Sequence, residues 1–151
     1  MHLSAKADYA VRAAVHLAGS ADRPVKGDAI AQAQDIPYPF LGSILRDLRE
    51  AGIVRSQRGA DGGYWLDRPA AAITVADVIR AVDGPLARVR GVRPEDLEYA
   101  GTARVLQEVW IAVRANLRDV LEAVTLADVA AGTLPPRIGA LAADPSAWEP
   151  H

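Results

Sequence analysis

At 151 residues the chain is the size of one domain, or of a small domain with an extension. Half the residues are apolar but only 5% are aromatic, so a core has to be packed mainly by Ala, Val, Leu and Ile. The net charge of −2 does not favour a nucleic-acid binder, and the absence of cysteine excludes disulfides, thiolate metal sites and cysteine nucleophiles.

The charge is uneven. Between Arg46 and Arg68 the bases Arg46, Arg49, Arg55, Arg58 and Arg68 outnumber the acids Asp47, Glu50, Asp61 and Asp67. Acids elsewhere do not shield such a surface, because screening acts over about 10 Å. The start, Met1 to Lys6, has no basic run followed by an apolar core. No apolar run approaches the roughly 20 residues that span a bilayer. A cytoplasmic protein with no membrane partner is expected.

The first predicted helix runs from about Ser4, a suitable N-cap, to Ala18, with Tyr9, Ala10, Ala13, Ala14 and Leu17 on one face. A short second helix covers about Gly27 to Ala33. Pro37 turns Ile36 away from helical angles, and Pro39 suits the first turn of a third helix that Gly52 ends. In that helix Leu41, Ile44, Leu45 and Leu48 form an apolar stripe. The opposite face carries Pro39, Gly42, Ser43, Arg46 and Glu50. It reads either as a base-reading surface or as an ordinary solvated face.

Ile53 to Gln57 and Tyr64 to Leu66 read as two strands. The tip between them, Arg58-Gly59-Ala60-Asp61-Gly62-Gly63, is rich in glycines that accept positive backbone angles. Arg58 stands at the strand exit, placed to enter a minor groove. A phosphate-cradling loop is a poor alternative, since no helix and no Gly-Lys-Ser/Thr follows. A plain hairpin turn remains the other. Helix, turn, helix and hairpin together describe a winged helix-turn-helix.

Thr74 caps a helix to Asp83, which Gly84-Pro85 stops. Arg88, Arg90 and Arg93 then make a basic loop, and Glu95 to Tyr99 suits one helical turn. A long helix is predicted over about Thr102 to Val124. Ala103, Leu106, Trp110, Val113, Leu117, Val120 and Val124 recur along it at alternating steps of three and four, a heptad seam. Burying that seam contributes roughly 10–15 kcal/mol gross, comparable with the cost of association. The seam therefore reads as a homodimer contact, or else packs within its own subunit. Thr125 caps a short last helix ending at Gly132. The Pro-rich remainder reads as a mobile tail, with Trp148 its one docking residue.

The order Leu3 to Ala10, Ile30-Ala31, Ile36-Pro37, Ala51-Gly52-Ile53-Val54, Arg58-Gly59, Gly62-Gly63-Tyr64, Ile73-Thr74-Val75, Val82-Asp83-Gly84 and Thr125-Leu126 resembles the Rrf-two superfamily of bacterial transcription regulators, the IscR-, NsrR- and CymR-like proteins. The resemblance covers about residues 1–132. It implies a mainly α fold: a winged helix-turn-helix over residues 1–84, then a loop, a long dimerisation helix and a short capping helix over 85–132, with the tail at 133–151. It implies a homodimer on a two-fold-related site in double-stranded DNA. The start of the third helix, Pro37 to Ser43 with Tyr38, Pro39 and Gly42, corresponds to the major-groove reader, and Arg58 to the wing arginine in the minor groove; Arg46 on the same helix face and Gly59 beside Arg58 join them as candidate DNA contacts. Pro37, Pro39 and Gly42 depart from the polar residues usual there, so a different operator is implied. Dimerisation falls to Leu106, Trp110, Val113, Leu117, Val120 and Val124.

Sensor members hold an iron–sulfur cluster on three cysteines before the long helix, some adding a histidine. Counted back from Trp110, those places fall near Val92, Glu98, Arg104 and Gln107, and none is a thiolate. Asp8 and Arg12, near a further ligand position of some members, do not rescue such a site. No cofactor and no metal is expected, and a small-molecule or protein effector is left open. The histidines, His2, His16 and His151, form no catalytic pattern with carboxylates, so no enzyme is expected. The expected function is DNA-binding transcription regulation, as a repressor. The alternative is a dimeric module that controls a partner enzyme.

Overall fold

The computed structural model describes residues 2–20 and 23–150, so His151 lies outside it. The described residues form helices α1 (Ala5–Ala18), α2 (Gly27–Gln34), α3 (Tyr38–Glu50), α4 (Val75–Asp83), α5 (Leu106–Leu121), α6 (Leu126–Ala130) and α7 (Pro136–Ala143). Strands β1 (Val54–Gln57) and β2 (Gly63–Leu66) pair antiparallel, with Val54 opposite Leu66 and Gln57 opposite Gly63.

α1 is the hub. Ala7, Ala10, Ala13 and Ala14 are buried, and such small side chains let α2, α3, α4 and α6 approach it. The Ser4 hydroxyl accepts the Ala7 N–H and donates to Asp83 at 2.6 Å, closing the helix start against the end of α4. The α3 stripe of Leu41, Ile44, Leu45 and Leu48 is fully buried. At about 1.5–3 kcal/mol for each side chain, it anchors α3 against α1. Gly52, at φ +70°, turns the chain from α3 into β1.

The hairpin is also tied to the segment before α2. Val25 and Tyr64 exchange backbone hydrogen bonds at 2.9 and 2.8 Å. Gly63 permits this approach: its φ is +154°, and a Cβ there would lie 2.7 Å from the Val25 carbonyl oxygen.

α4 and α6 start in the same way. Thr74 with Asp77, and Thr125 with Asp128, form complete capping boxes, and Thr74 faces Thr125 across an antiparallel bridge. Leu126 is fully buried in the core that α1 and α3 build. The chain beyond α5 thus returns to that core.

The end of the long helix is corrected. α5 ends at Leu121, not near Val124. Val124, placed in the dimer seam, lies outside the helix and is buried, and its carbonyl accepts the Val75 N–H at 2.9 Å. The remaining seam residues Leu106, Trp110, Val113, Leu117 and Val120 are half-buried within their own subunit. The reason is the loop from Pro85 to Tyr99, which lies along α5. Trp110 donates to the Tyr99 hydroxyl at 3.0 Å, Arg114 pairs with Glu95, and Gln107 donates to the Pro94 and Glu95 carbonyls. The stretch expected as a mobile tail contains α7, with buried Ile138 and an Arg137–Asp119 ion pair. Trp148, expected to dock, donates its indole N–H to the Ala142 carbonyl at 2.7 Å while its ring stays 78% exposed.

Candidate nucleic-acid interface

Burying one stripe of α3 leaves the other outward. Tyr38 is 64% and Phe40 58% exposed, and Pro39, Gly42 and Arg46 are exposed beside them. Phe40 leans on Tyr9 of α1, with ring centroids 6.2 Å apart. Ser43 is half-buried and donates to the Phe40 carbonyl at 3.1 Å. Gly42 has open space where a Cβ would stand, so it leaves the helix surface bare for close approach. The α3 N-terminus has no side-chain cap, and its free N–H groups favour an anion there.

The basic residues divide into braces and free ends. Arg49 donates to the Ser56 hydroxyl at 3.1 Å, linking α3 to β1, and Arg55 pairs with Asp67. Arg46 is 3.9 Å from Asp47, a carboxylate that Lys6 already holds at 2.6 Å. Arg58 is exposed at the wing tip, with no hydrogen bond or ion pair among the described residues. Lys26 reaches across to the Gly59 carbonyl at 2.6 Å. A Cβ on Gly27 would lie 3.7 Å from the Tyr64 ring and 4.0 Å from the Tyr38 ring, so the α2 start, the α3 start and β2 come close together there.

The expected reader and wing residues therefore form one solvent-facing region, with Ser43 half-turned into its own helix. Two of its residues were missed. Phe40 is an aromatic off the apolar stripe, which is a usable sign of exposure. Lys26 carries no such sign, since only the folded hairpin brings it to Gly59.

The positions that hold a cluster in sensor relatives are partly brought together. Glu98, Arg104 and Gln107 line a cavity of about 610 Å³, while Val92 lies outside it. A carboxylate, a carboxamide and a permanently charged guanidinium do not supply the soft thiolates that iron–sulfur clusters need. The donor set does not fit the group. Asp8 and Arg12 pair with each other at 2.8 Å, and Arg12 also donates to the Gln34 carbonyl and covers the Tyr9 ring. The His16 ring lies 3.5 Å from the Gln34 carboxamide nitrogen.

A buried helical stripe, an outward helix face and an arginine-tipped wing define a winged helix-turn-helix transcription regulator. The sequence model of the Rrf2 family, described as iron-dependent transcriptional regulators, matches residues 3–132. The chain belongs to this Rrf2, or Rrf-two, family of DNA-binding transcription regulators. It is 53% identical over 150 residues to a candidate HTH-type transcriptional regulator of Mycobacterium tuberculosis, covering 99% of this chain and 93% of that one. It is 36% identical over 134 residues to the HTH-type regulator CymR of Bacillus subtilis, covering 88% and 92%. Among solved structures, CymR, the global cysteine regulator of B. subtilis, matches with a TM-score of 0.74 at 35% identity, covering 88% of this chain and 98% of that one. IscR of T. potens matches with a TM-score of 0.70 at 31% identity, covering 100% and 93%. No described helix is long and apolar enough to cross a membrane.

Proposed function

We propose that the protein is a homodimeric, sequence-specific repressor that acts without an iron–sulfur cluster. The observation that carries this reading is the pairing of an exposed α3 face with an unpartnered Arg58 at the wing tip. In it, Tyr38, Pro39, Gly42, Ser43 and Arg46 meet base edges or phosphates in the major groove. Phe40 supplies apolar contact of the kind that recognises a thymine methyl. Arg58 and Gly59 enter the neighbouring minor groove. A chain whose described elements serve DNA contact and self-association acts by occupying a promoter.

The homodimer is supported by α5, none of whose residues is fully buried in its own subunit. Val105 and Val109, one turn apart, are 57% and 46% exposed, and half-buried Leu106, Trp110, Val113, Leu117 and Val120 lie along the same helix. An apolar stripe that the loop covers only in part suits a second copy better than water. The absence of a cluster is supported by the Glu98, Arg104 and Gln107 donor set.

The test is a salt titration of binding to promoter fragments. Affinity should fall with a log–log slope near −0.9 per phosphate neutralised. A salt-insensitive association with a partner enzyme instead would support the interaction-module reading. Anaerobic incubation with iron and sulfide should leave the protein colourless and without bound iron.

A further inference from the structure

Between the end of α4, the turn at Gly84-Pro85 and the middle of α5 lies a cavity of about 330 Å³. Four arginines line it, Arg80, Arg93, Arg114 and Arg118, against the one carboxylate of Glu95. Its volume falls in the range of roughly 300–1,000 Å³ typical of small-molecule sites.

The fold does not use up these arginines. Arg114 is the most enclosed, with its side chain 15% exposed, and its one recorded acceptor is Glu95. A guanidinium carries five N–H donors, and a bidentate carboxylate occupies two. Arg80 is shared between Glu122 and, at 4.0 Å, Asp77. Arg93 and Arg118 have no side-chain hydrogen bond or ion pair among the described residues. The three carboxylates in reach therefore leave an excess of positive charge, in a chain whose net charge is −2. The Glu95 carboxyl is held below its ordinary range, first by its own backbone N–H, then by Arg114, with Arg93 also contributing. Arg93 lines the same cavity as Glu95 and Arg114.

We infer that this cavity binds a small molecule carrying at least two oxyanionic groups, phosphate or carboxylate, held by Arg93, Arg114 and Arg118. Planar guanidinium forks match both kinds of oxyanion in bidentate fashion. No residue of α2, α3 or the hairpin lines the cavity, so it is separate from the DNA-facing surface. Its walls join α5 to α4, and α4 packs on α1 and α3. A bound anion therefore sets how the long helix sits against the winged domain. That regulatory consequence rests on the DNA-binding reading, whereas the binding site does not.

The probes are inorganic pyrophosphate and citrate, titrated by calorimetry into the full chain at constant ionic strength. Saturable binding of at least one probe is expected below about 1 mM, with the preferred probe showing whether phosphate or carboxylate is the natural group. The double variant Arg93→Ala/Arg118→Ala alters two exposed side chains with no hydrogen bond or ion pair among the described residues, so its melting temperature should change little. Its anion affinity should drop about tenfold or more, the equivalent of losing charge-assisted hydrogen bonds. Arg58→Ala should keep anion binding while weakening DNA binding, which separates failure of this site from failure of the DNA-binding reading. Absence of saturable binding by either probe, or equal binding by the double variant, overturns the inference. So does a double variant that loses operator affinity while the parent chain ignores both anions, because the arginines would then serve the DNA backbone.

Discussion

Lys26 donates its ammonium to the Gly59 carbonyl at 2.6 Å, so the residue just before α2 holds the tip of the wing. Both groups are exposed, and the contact adds little to global stability. Its effect is positional. Lys26→Ala should leave the melting temperature nearly unchanged and cut operator affinity about fivefold, through a less ordered wing. Fluorescence anisotropy on a promoter fragment reads the affinity, and amide relaxation at Gly59 and Ala60 reads the order.

Gly63 and Gly59 both have positive φ but should respond differently to substitution. A Cβ on Gly63 would meet the Val25 carbonyl at 2.7 Å, whereas Gly59 has nothing within 4 Å. Gly63→Ala should cost about 2–3 kcal/mol, seen as a lower denaturant midpoint. Gly59→Ala should cost about 1 kcal/mol, from backbone strain alone.

Arg58 has no partner to lose within the described fold. Arg58→Ala should therefore leave stability intact and weaken operator binding by about 1–3 kcal/mol. The salt slope should shrink by about one phosphate, and any preference for A·T pairs beside each half-site should relax. Unchanged binding on the same fragment would remove Arg58 from the interface.

Self-association is better probed at Val109 than on the heptad seam. Leu117 is half-buried against its own subunit, so a charge there disturbs the fold as well. Val109 is 46% exposed. Val109→Asp should give folded monomers in sedimentation velocity, with normal helix content by circular dichroism. A dimer that persists in this variant moves the contact off that face of α5.

The Asp128 carboxyl lies below its ordinary range, held first by the Thr125 backbone N–H and then by the Thr125 hydroxyl. A depressed folded value means that this cap stabilises the protein above the unfolded carboxylate range of about 4, and that the contribution is lost as pH falls through the lower folded value. Thermal melts of the parent chain and Asp128→Ala should differ at neutral pH and converge as pH falls well below the ordinary carboxylate range.

Local chemistry made much of this legible from the chain alone. Ser4, Thr74 and Thr125 announce helix starts because a cap needs only its own three following residues. Gly52 and the Gly59–Gly63 run mark turns through backbone freedom, and the α3 stripe names its own buried face. What stayed hidden depends on distant segments. The heptad on α5 is real, but the loop from Pro85 to Tyr99 lies along it and covers part of it. Val124 obeys the repeat yet belongs to the core, because the chain has already turned toward Ile73. Pro135 and Pro136 look like breakers, but a proline in the first turn is no obstacle, so α7 forms behind them. The Lys26–Gly59 contact and the arginine-lined cavity join residues far apart in sequence, and no local pattern encodes either.

The central claim is that two copies of α3 and Arg58, related by a twofold axis, read one DNA duplex. Genome-wide recovery of bound fragments, followed by footprinting of the strongest, tests it most directly. The account predicts an inverted repeat with half-site centres about one helical turn, or a whole number of turns, apart. Protection should extend into the flanking minor grooves and disappear with Arg58→Ala. Recovery of no enriched fragment, or of a motif without twofold symmetry, would contradict it.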